Sequence, residues 1–170
     1  MRKLLLFIVI VAGLYFAYQA LTDKNLPPNT KIDKLVVYKS KRELIAYSNG
    51  QAIKTYTIAL GKQPVGDKQF QGDNKTPEGN YTINDKNPYS GYYKNLGVSY
   101  PNAADRREAA KFGNPVGGDI KIHGLPNKMP FIGRCHRLMD WTAGCMAVTN
   151  TEMEELYQAV QIGTPIEILP

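Results

Sequence analysis

The sequence predicts a mainly β domain with one or two short helices, preceded by an N-terminal apolar helix. Three observations lead there. From Lys34 to Leu60 (KLVVYKSKRELIAYSNGQAIKTYTIAL) apolar and polar side chains alternate, as they do in strands with one buried face. From Gly61 to Asn102 the chain is punctuated by Gly, Pro and Asn at intervals that leave no helical period. After Thr149 the stretch TNTEMEELYQAV carries one clear helical signature.

Taken in order, Met1-Arg2-Lys3 precede LLLFIVIVAGLYFAYQAL, which has no charge until Asp23. A membrane span needs about 20 predominantly apolar residues, and a signal peptide's apolar region is shorter. The alanines of Ala17-Tyr18-Gln19-Ala20 stand one residue too far apart for an A-x-A cleavage site. Residues 1–21 are therefore expected to be an uncleaved single-pass anchor. Arg2 and Lys3 would stay cytoplasmic, and the rest would lie in the periplasm or extracytoplasmic space. Residues 22–33, with Pro27-Pro28, read as a short, stiff linker. Residues 34–170 form the expected domain.

Within it, Ser48-Asn49-Gly50 marks a hairpin, and short strands are expected around Tyr81–Ile83 and Leu96–Ser99. AADRREAAKF, from Ala103 to Phe112, predicts a short helix that ends before Gly113-Asn114-Pro115. Asp119–His123 reads as a strand delivering a histidine to its end. In the later helix Thr149 or Asn150 caps, Glu152 places negative charge in the first turn, and Met153, Leu156, Tyr157 and Val160 form the apolar stripe. Gly163-Thr164-Pro165 stops it, and Ile166–Ile168 is a closing strand.

With 43% hydrophobic and 21% charged residues, the 170-residue chain is an ordinary globular protein with a core large enough to dispense with disulfides. Its net charge of +6 comes from scattered lysines and arginines, among them Lys39, Lys41, Arg42, Arg106, Arg107 and Lys111. No zinc-finger or other nucleic-acid signature accompanies them, so an exported protein of this charge is expected to meet anionic lipid or wall polymer, not DNA or RNA.

Both histidines and both cysteines, His123, Cys135, His136 and Cys145, fall within one stretch. Cys145 follows Gly144 just ahead of the predicted helix, where helix N–H groups would favour a thiolate, and His123 is the leading base. The backbone N–H groups of Gly144 and Cys145 are candidate oxyanion donors. Other readings of these residues are a buried thiol, a Cys135–Cys145 disulfide, and a metal site. The last matches no standard ligand spacing, and no metal or cofactor is expected.

Ile122-His123-Gly124 followed by Thr142-Ala143-Gly144-Cys145 resembles the histidine and downstream Ser/Thr-His-Gly-Cys signature of the L,D-transpeptidase catalytic domain (YkuD) family. Thr76-Pro77-Glu78-Gly79-Asn80-Tyr81 is similar to the family's T-P-x-G-x-F/Y stretch. Asp140–Asn150 resembles a branch that carries D-W-T-x-G-C-x-A, and Gly163–Ile168 fits the family's closing strand. The resemblance implies a β-rich sandwich-like or barrel-like fold acting on peptidoglycan stem peptides. Cys145 would be the nucleophile, His123 its proton acceptor, and the Gly124 carbonyl would orient the ring.

Two positions depart from the family pattern. Ala143 stands where histidine is usual, and Ala147 where arginine or asparagine is usual. Arg134, His136 and Arg137 are candidate replacements for holding the substrate carboxylate, with Thr142 and Trp141 shaping the donor pocket. Asp140 is expected mainly to hold its loop, and Tyr89, Tyr92, Tyr93 and Tyr100 are candidates for a stacking groove. Hydrolysis of stem peptides or of wall-protein cross-links, acyl transfer on a non-peptidoglycan substrate, and a non-catalytic wall-binding module are the competing functions.

Overall fold

The computed structural model describes residues 2–20 and 25–170. The expected junction between anchor and linker at residues 21–24 lies outside the described residues. Helix α1 (Arg2–Ala20) is followed by β1 (Lys34–Tyr38), β2 (Glu43–Ser48), β3 (Gln51–Thr57), β4 (Gly79–Ser90) and β5 (Tyr93–Val98). Then come α2 (Ala103–Lys111), β6 (Lys121–His123), a 3-10 segment at Pro130–Leu138, β7 (Met146–Ala147), α3 (Asn150–Ala159) and β8 (Pro165–Leu169).

The strands form one sheet in the order β3-β2-β1-β8-β4-β5-β6-β7. Asn49 and Gly50 join β2 to β3 with positive φ at both positions (51° and 74°), the two-residue turn that matches strand twist. The C-terminal strand is internal, with β8 parallel to β1 on one side and antiparallel to β4 on the other. Burial explains the position, since Ile166 and Ile168 are core residues and a strand flanked on both sides needs apolar side chains more than an edge strand does. The short strands expected near Tyr81 and Leu96 are the two arms of a longer hairpin, β4–β5, whose register shifts twice. Those irregularities absorb the Asn and Pro residues that read as interruptions in sequence.

The sheet curls until its two ends meet. Beyond β3, Ala59 and Ala147 exchange N–H···O bonds of 3.0 and 2.8 Å, the Thr142 N–H donates to the Leu60 carbonyl at 3.1 Å, and the Lys62 N–H to the Thr142 carbonyl at 3.0 Å. The result is a sheet-rich half-barrel. Its core gathers Leu35, Leu44, Ile58, Leu96, Ile122 and Met146 with Met153 and Leu156 from α3. Helix α3 lies against β5 and starts at a reciprocal cap. The Thr149 hydroxyl accepts from the Glu152 N–H while the Glu152 carboxylate accepts from the Thr149 N–H. Helix α2 is capped in the same way by Asn102 and Asp105.

The T-P-E-G stretch buttresses the closure. The Thr76 hydroxyl accepts the Gly61 N–H at 3.1 Å, and buried Lys39 donates to the carbonyls of Gly66 and Thr76 and to Glu78. Helix α1 is long and apolar enough to cross a membrane. Leu4 to Phe16 expose most of their apolar side chains, and its last turns touch the 3-10 segment.

Gly61 is required by space. A Cβ there would lie 2.2 Å from the Asn74 carbonyl oxygen and 3.1 Å from the Gly144 Cα. Gly61→Ala is expected to cost about 3 kcal/mol, whereas Gly118→Ala, with nothing within 4 Å of its Cβ, should change stability by under about 0.5 kcal/mol. Urea unfolding of both variants beside the parent checks this.

Candidate active site

Strand β6 delivers His123 to its last position. Its neighbours there are Asn95 of β5 on one side and Ala147 of β7 on the other. The imidazole Nδ1 lies 2.7 Å from the Gly124 carbonyl oxygen. A carbonyl only accepts, so Nδ1 carries the proton and Nε2 is the basic nitrogen. Tyr92 and Trp141 flank the ring at centroid distances of 4.7 and 5.6 Å. Gly124 has no room for a side chain, because a Cβ would meet Asn150 Oδ1 at 2.7 Å and Tyr93 Cβ at 2.9 Å.

Cys145 ends a turn tied down at each step. The Asp140 carboxylate accepts from Arg42 at 2.8 Å and from the Leu60 N–H at 2.9 Å, so it holds the loop to the sheet closure. The Thr142 hydroxyl accepts from the Gly144 N–H at 3.1 Å and donates to the Cys145 carbonyl at 2.7 Å. Gly144 has φ +133°, and a Cβ there would stand 2.7 Å from the Lys75 carbonyl oxygen. The Cys145 thiol faces the Asp119 carbonyl at 3.4 Å.

Cys145 and His123 line one cavity of about 520 Å³ together with Trp141, Tyr92, Lys62 and Lys121. Burial pushes the Cys145 thiol up, with the Lys121 N–H and ammonium pulling the other way. Burial also pushes His123 down, opposed by its bond to Gly124 and reinforced by Lys121. Both shifts run toward the uncharged forms.

Helix α3 does not provide the N-terminus expected at the sulfur. Strand β7 and the Thr149 cap intervene, because Met146, Ala147 and Val148 are wholly buried and the chain continues into the sheet before it can turn helical. The Gly144 N–H is engaged by Thr142 and is not a free oxyanion donor. Thr142 is buried but lines the cavity, and its hydroxyl is engaged within the turn.

Arg134, His136 and Arg137 do not line the cavity. The sequence from Pro130 to Leu138 winds into 3-10 turns with a break at Gly133 (φ 46°, ψ −130°) and packs on α1 and α3. Arg137 pairs with Glu152 at 2.5 Å, with side chains only 10% and 6% exposed. Arg134 lines a separate depression beside Gln19 and Asn150. His136 is buried, and neither ring nitrogen has a hydrogen-bond partner among the described residues. Burial, then the charges of Arg137 and His123, bring it down to about 4. Both cysteines are free, with Cys135 next to Gln19 at 3.8 Å. Of the four candidate tyrosines, Tyr89 and Tyr92 line the cavity, whereas Tyr100 is in the core.

Lys62, Lys121 and Asn95 were not singled out by sequence reasoning. For Lys121 the signal was present, since period-two alternation along β6 puts it on the same face as His123. Asn95 became visible only through pairing: it is 4% exposed, and its Oδ1 has no partner among the described residues.

A thiol and an imidazole facing one cavity at the closure of a half-barrel are the arrangement expected of an L,D-transpeptidase-type acyltransferase. The sequence matches the L,D-transpeptidase catalytic domain (YkuD) family over residues 33–168, and the chain belongs to that family. It is 33% identical over 131 residues to YafK of Escherichia coli (strain K12), itself a candidate L,D-transpeptidase; the match covers 73% of this chain and 45% of that protein. Among solved structures, a variant of the helical cell shape determining protein Pgp2 from Campylobacter jejuni is similar with a TM-score of 0.62 and 29% identity, covering 82% of this chain and 47% of that one. Bd1075 of Bdellovibrio bacteriovorus is similar with a TM-score of 0.57 and 27% identity, covering 89% of this chain and 52% of that one. The chain thus spans about half the length of these relatives.

Thr142→Ala would leave the Gly144 N–H and the Cys145 carbonyl without their partner and is expected to cost about 1–3 kcal/mol, while Thr142→Ser should cost under about 1 kcal/mol. Equal losses in chemical denaturation would assign the effect to the methyl group instead.

Proposed function

We propose that this chain is an exported, membrane-held cysteine acyltransferase that acts on peptidoglycan stem peptides. One observation supports it above the others: a single cavity holds the Cys145 thiol, an imidazole whose tautomer is set by the Gly124 carbonyl, and two lysines. In the proposed reaction Cys145 Sγ attacks the carbonyl carbon at the L-centre of the third stem residue while the thiol proton passes to His123 Nε2. The Cys145 N–H faces the developing oxyanion. Collapse breaks the amide bond, and the imidazolium returns its proton to the departing D-alanine amine. An acceptor amine then attacks the thioester, with His123 again taking the proton, and Cys145 is released.

The positions that depart from the family pattern have a counterpart in this cavity. Ala147 is wholly buried, in backbone contact with Ala59, and offers no side chain to a substrate. Lys62 and Lys121 bring positive charge to the cavity wall and would hold the stem peptide's carboxylate, the role first considered for Arg134, His136 and Arg137. Trp141 and Tyr92 supply flat apolar walls. The N-terminal helix would hold the domain at the outer face of the cytoplasmic membrane, facing the wall.

Mass spectrometry of the full chain incubated with tetrapeptide muropeptides tests this reading. D-alanine release with cross-linked dimers is expected, and Cys145→Ala should lower the rate at least about a thousandfold. Release without dimers would identify water as the acceptor. An untouched substrate with Cys145 unacylated would overturn the assignment.

The pH dependence has a definite sign. A lowered His123 pKa keeps the imidazole basic below the ordinary histidine value of 6.5, so the acid limb of kcat/KM is expected below that value. A raised thiol pKa leaves little thiolate at neutrality, so iodoacetamide should alkylate Cys145 slowly near pH 7 and faster in the alkaline range. Fast alkylation at neutral pH that falls off only well below pH 6.5 would instead indicate a thiolate–imidazolium pair at rest.

A further inference from the structure

We infer that the segment from Met129 to Met139 is a membrane-docking element, seated in the headgroup region of an anionic bilayer beside α1. The inference rests on the reading of α1 as a membrane anchor. Helix α1 has 19 residues, a length of about 28 Å against a hydrocarbon core of about 30 Å. Such a helix has no length to spare, so its last turns lie at the membrane boundary and cannot stand clear of it. Those turns hold the segment. The Tyr15 hydroxyl donates to the Phe131 carbonyl, the Tyr18 hydroxyl to the Arg134 carbonyl at 3.3 Å, and the Gln19 amide to the Ile132 carbonyl at 3.0 Å. The Arg134 N–H in turn donates to Gln19 Oε1 at 2.9 Å. Tyr15 is five residues before the end of α1, about 7 Å along its axis. Whatever packs from Tyr15 to Gln19 therefore straddles the boundary between the acyl chains and the headgroups.

The side chains suit that depth. Phe131, Leu138 and Met139 are 67%, 76% and 68% exposed, and Met129 is also exposed. Within a water-soluble surface these four would be an unexplained apolar cluster, whereas at a bilayer boundary they are the buried side of an interfacial segment. No Asp or Glu occurs from residue 120 to 139, and Lys128 immediately precedes the segment; this charge pattern favours acidic headgroups. Irregular backbone is costly near lipid unless its polar groups are satisfied. Here the tyrosines and Gln19 of α1 take up three carbonyls and one N–H of the segment. Tyr15, Phe16 and Tyr18 are also the residue types that collect at membrane boundaries.

The full chain, reconstituted into vesicles of phosphatidylethanolamine and phosphatidylglycerol, provides the test. Phe131→Trp and Val65→Trp each add one indole to the single native Trp141, and Val65 is 83% exposed on the loop after β3. Acyl chains brominated near the headgroup are expected to remove about half or more of the emission added by Phe131→Trp and to leave that added by Val65→Trp unchanged. Flotation with the vesicles reports on α1 independently. A chain that floats with both indoles equally unquenched would overturn the docking while leaving the anchor intact. A chain that does not float would overturn both. Protection of the Phe131→Trp indole that depends on protein concentration and not on bromine would assign the surface to a second copy of the chain and equally overturn the proposal.

Discussion

The backbone bonds that join residues 59–62 to residues 142–147 govern the rest of the structure. Without them β3 and β7 would be open edges of a curled sheet, and the turn that carries Cys145 would hang from β6 alone. With them, the turn is gripped on both sides, by β6 through the His123–Ala147 pairing and by the chain beyond β3 through Ala59, Leu60 and Lys62. Closure brings Gly61 within side-chain distance of Gly144, and the carbonyls of Asn74 and Lys75 leave no room for a Cβ at Gly61 and Gly144 respectively. It also recruits residues far apart in sequence, since Thr76 caps the Gly61 N–H and Asp140 ties Arg42 to Leu60. A site assembled in this way inherits its precision from the barrel.

The site's electrostatics follow from the same burial. His123 is buried between strands and the rings of Tyr92 and Trp141, Cys145 is half-buried, and burial is the largest influence on both pKa values. Lys121, on the wall, lowers both pKa values, favouring the deprotonated form of each partner, but its influence on the thiol is smaller than that of burial. The Gly124 carbonyl fixes the Nδ1–H tautomer, which leaves Nε2 unprotonated and the ring oriented.

The sequence was legible wherever one local rule determined the outcome. Period-two alternation located β1 to β3, the Asn49-Gly50 pair located their turn, and the Thr149–Glu152 capping pattern located α3. His123 and Cys145 stood out because they are chemically reactive side chains, each next to a glycine. Where partners came from across the sheet, reading failed. Arg137 resembles a solvent-facing cation in sequence, and only folding brings Glu152 to it. Thr142 lines the pocket as expected, but nothing local announces that its hydroxyl bonds both ends of the turn. The stretch from Pro130 to Leu138 has no repeating pattern at helical or strand period, and its conformation is set by α1 and α3. Asn95 gave no signal because nothing in its neighbourhood announces that it pairs with His123.

A raised thiol pKa at Cys145 has a consequence for durability. Peroxide and other oxidants attack thiolates far faster than thiols, and a sulfur that is over-oxidised is lost for good. A protein working outside the reducing cytoplasm would have no nearby pool of reductant to repair it. Burial that disfavours the Cys145 thiolate therefore makes its sulfur a poorer target for oxidants, so the packing that lowers its reactivity also protects it.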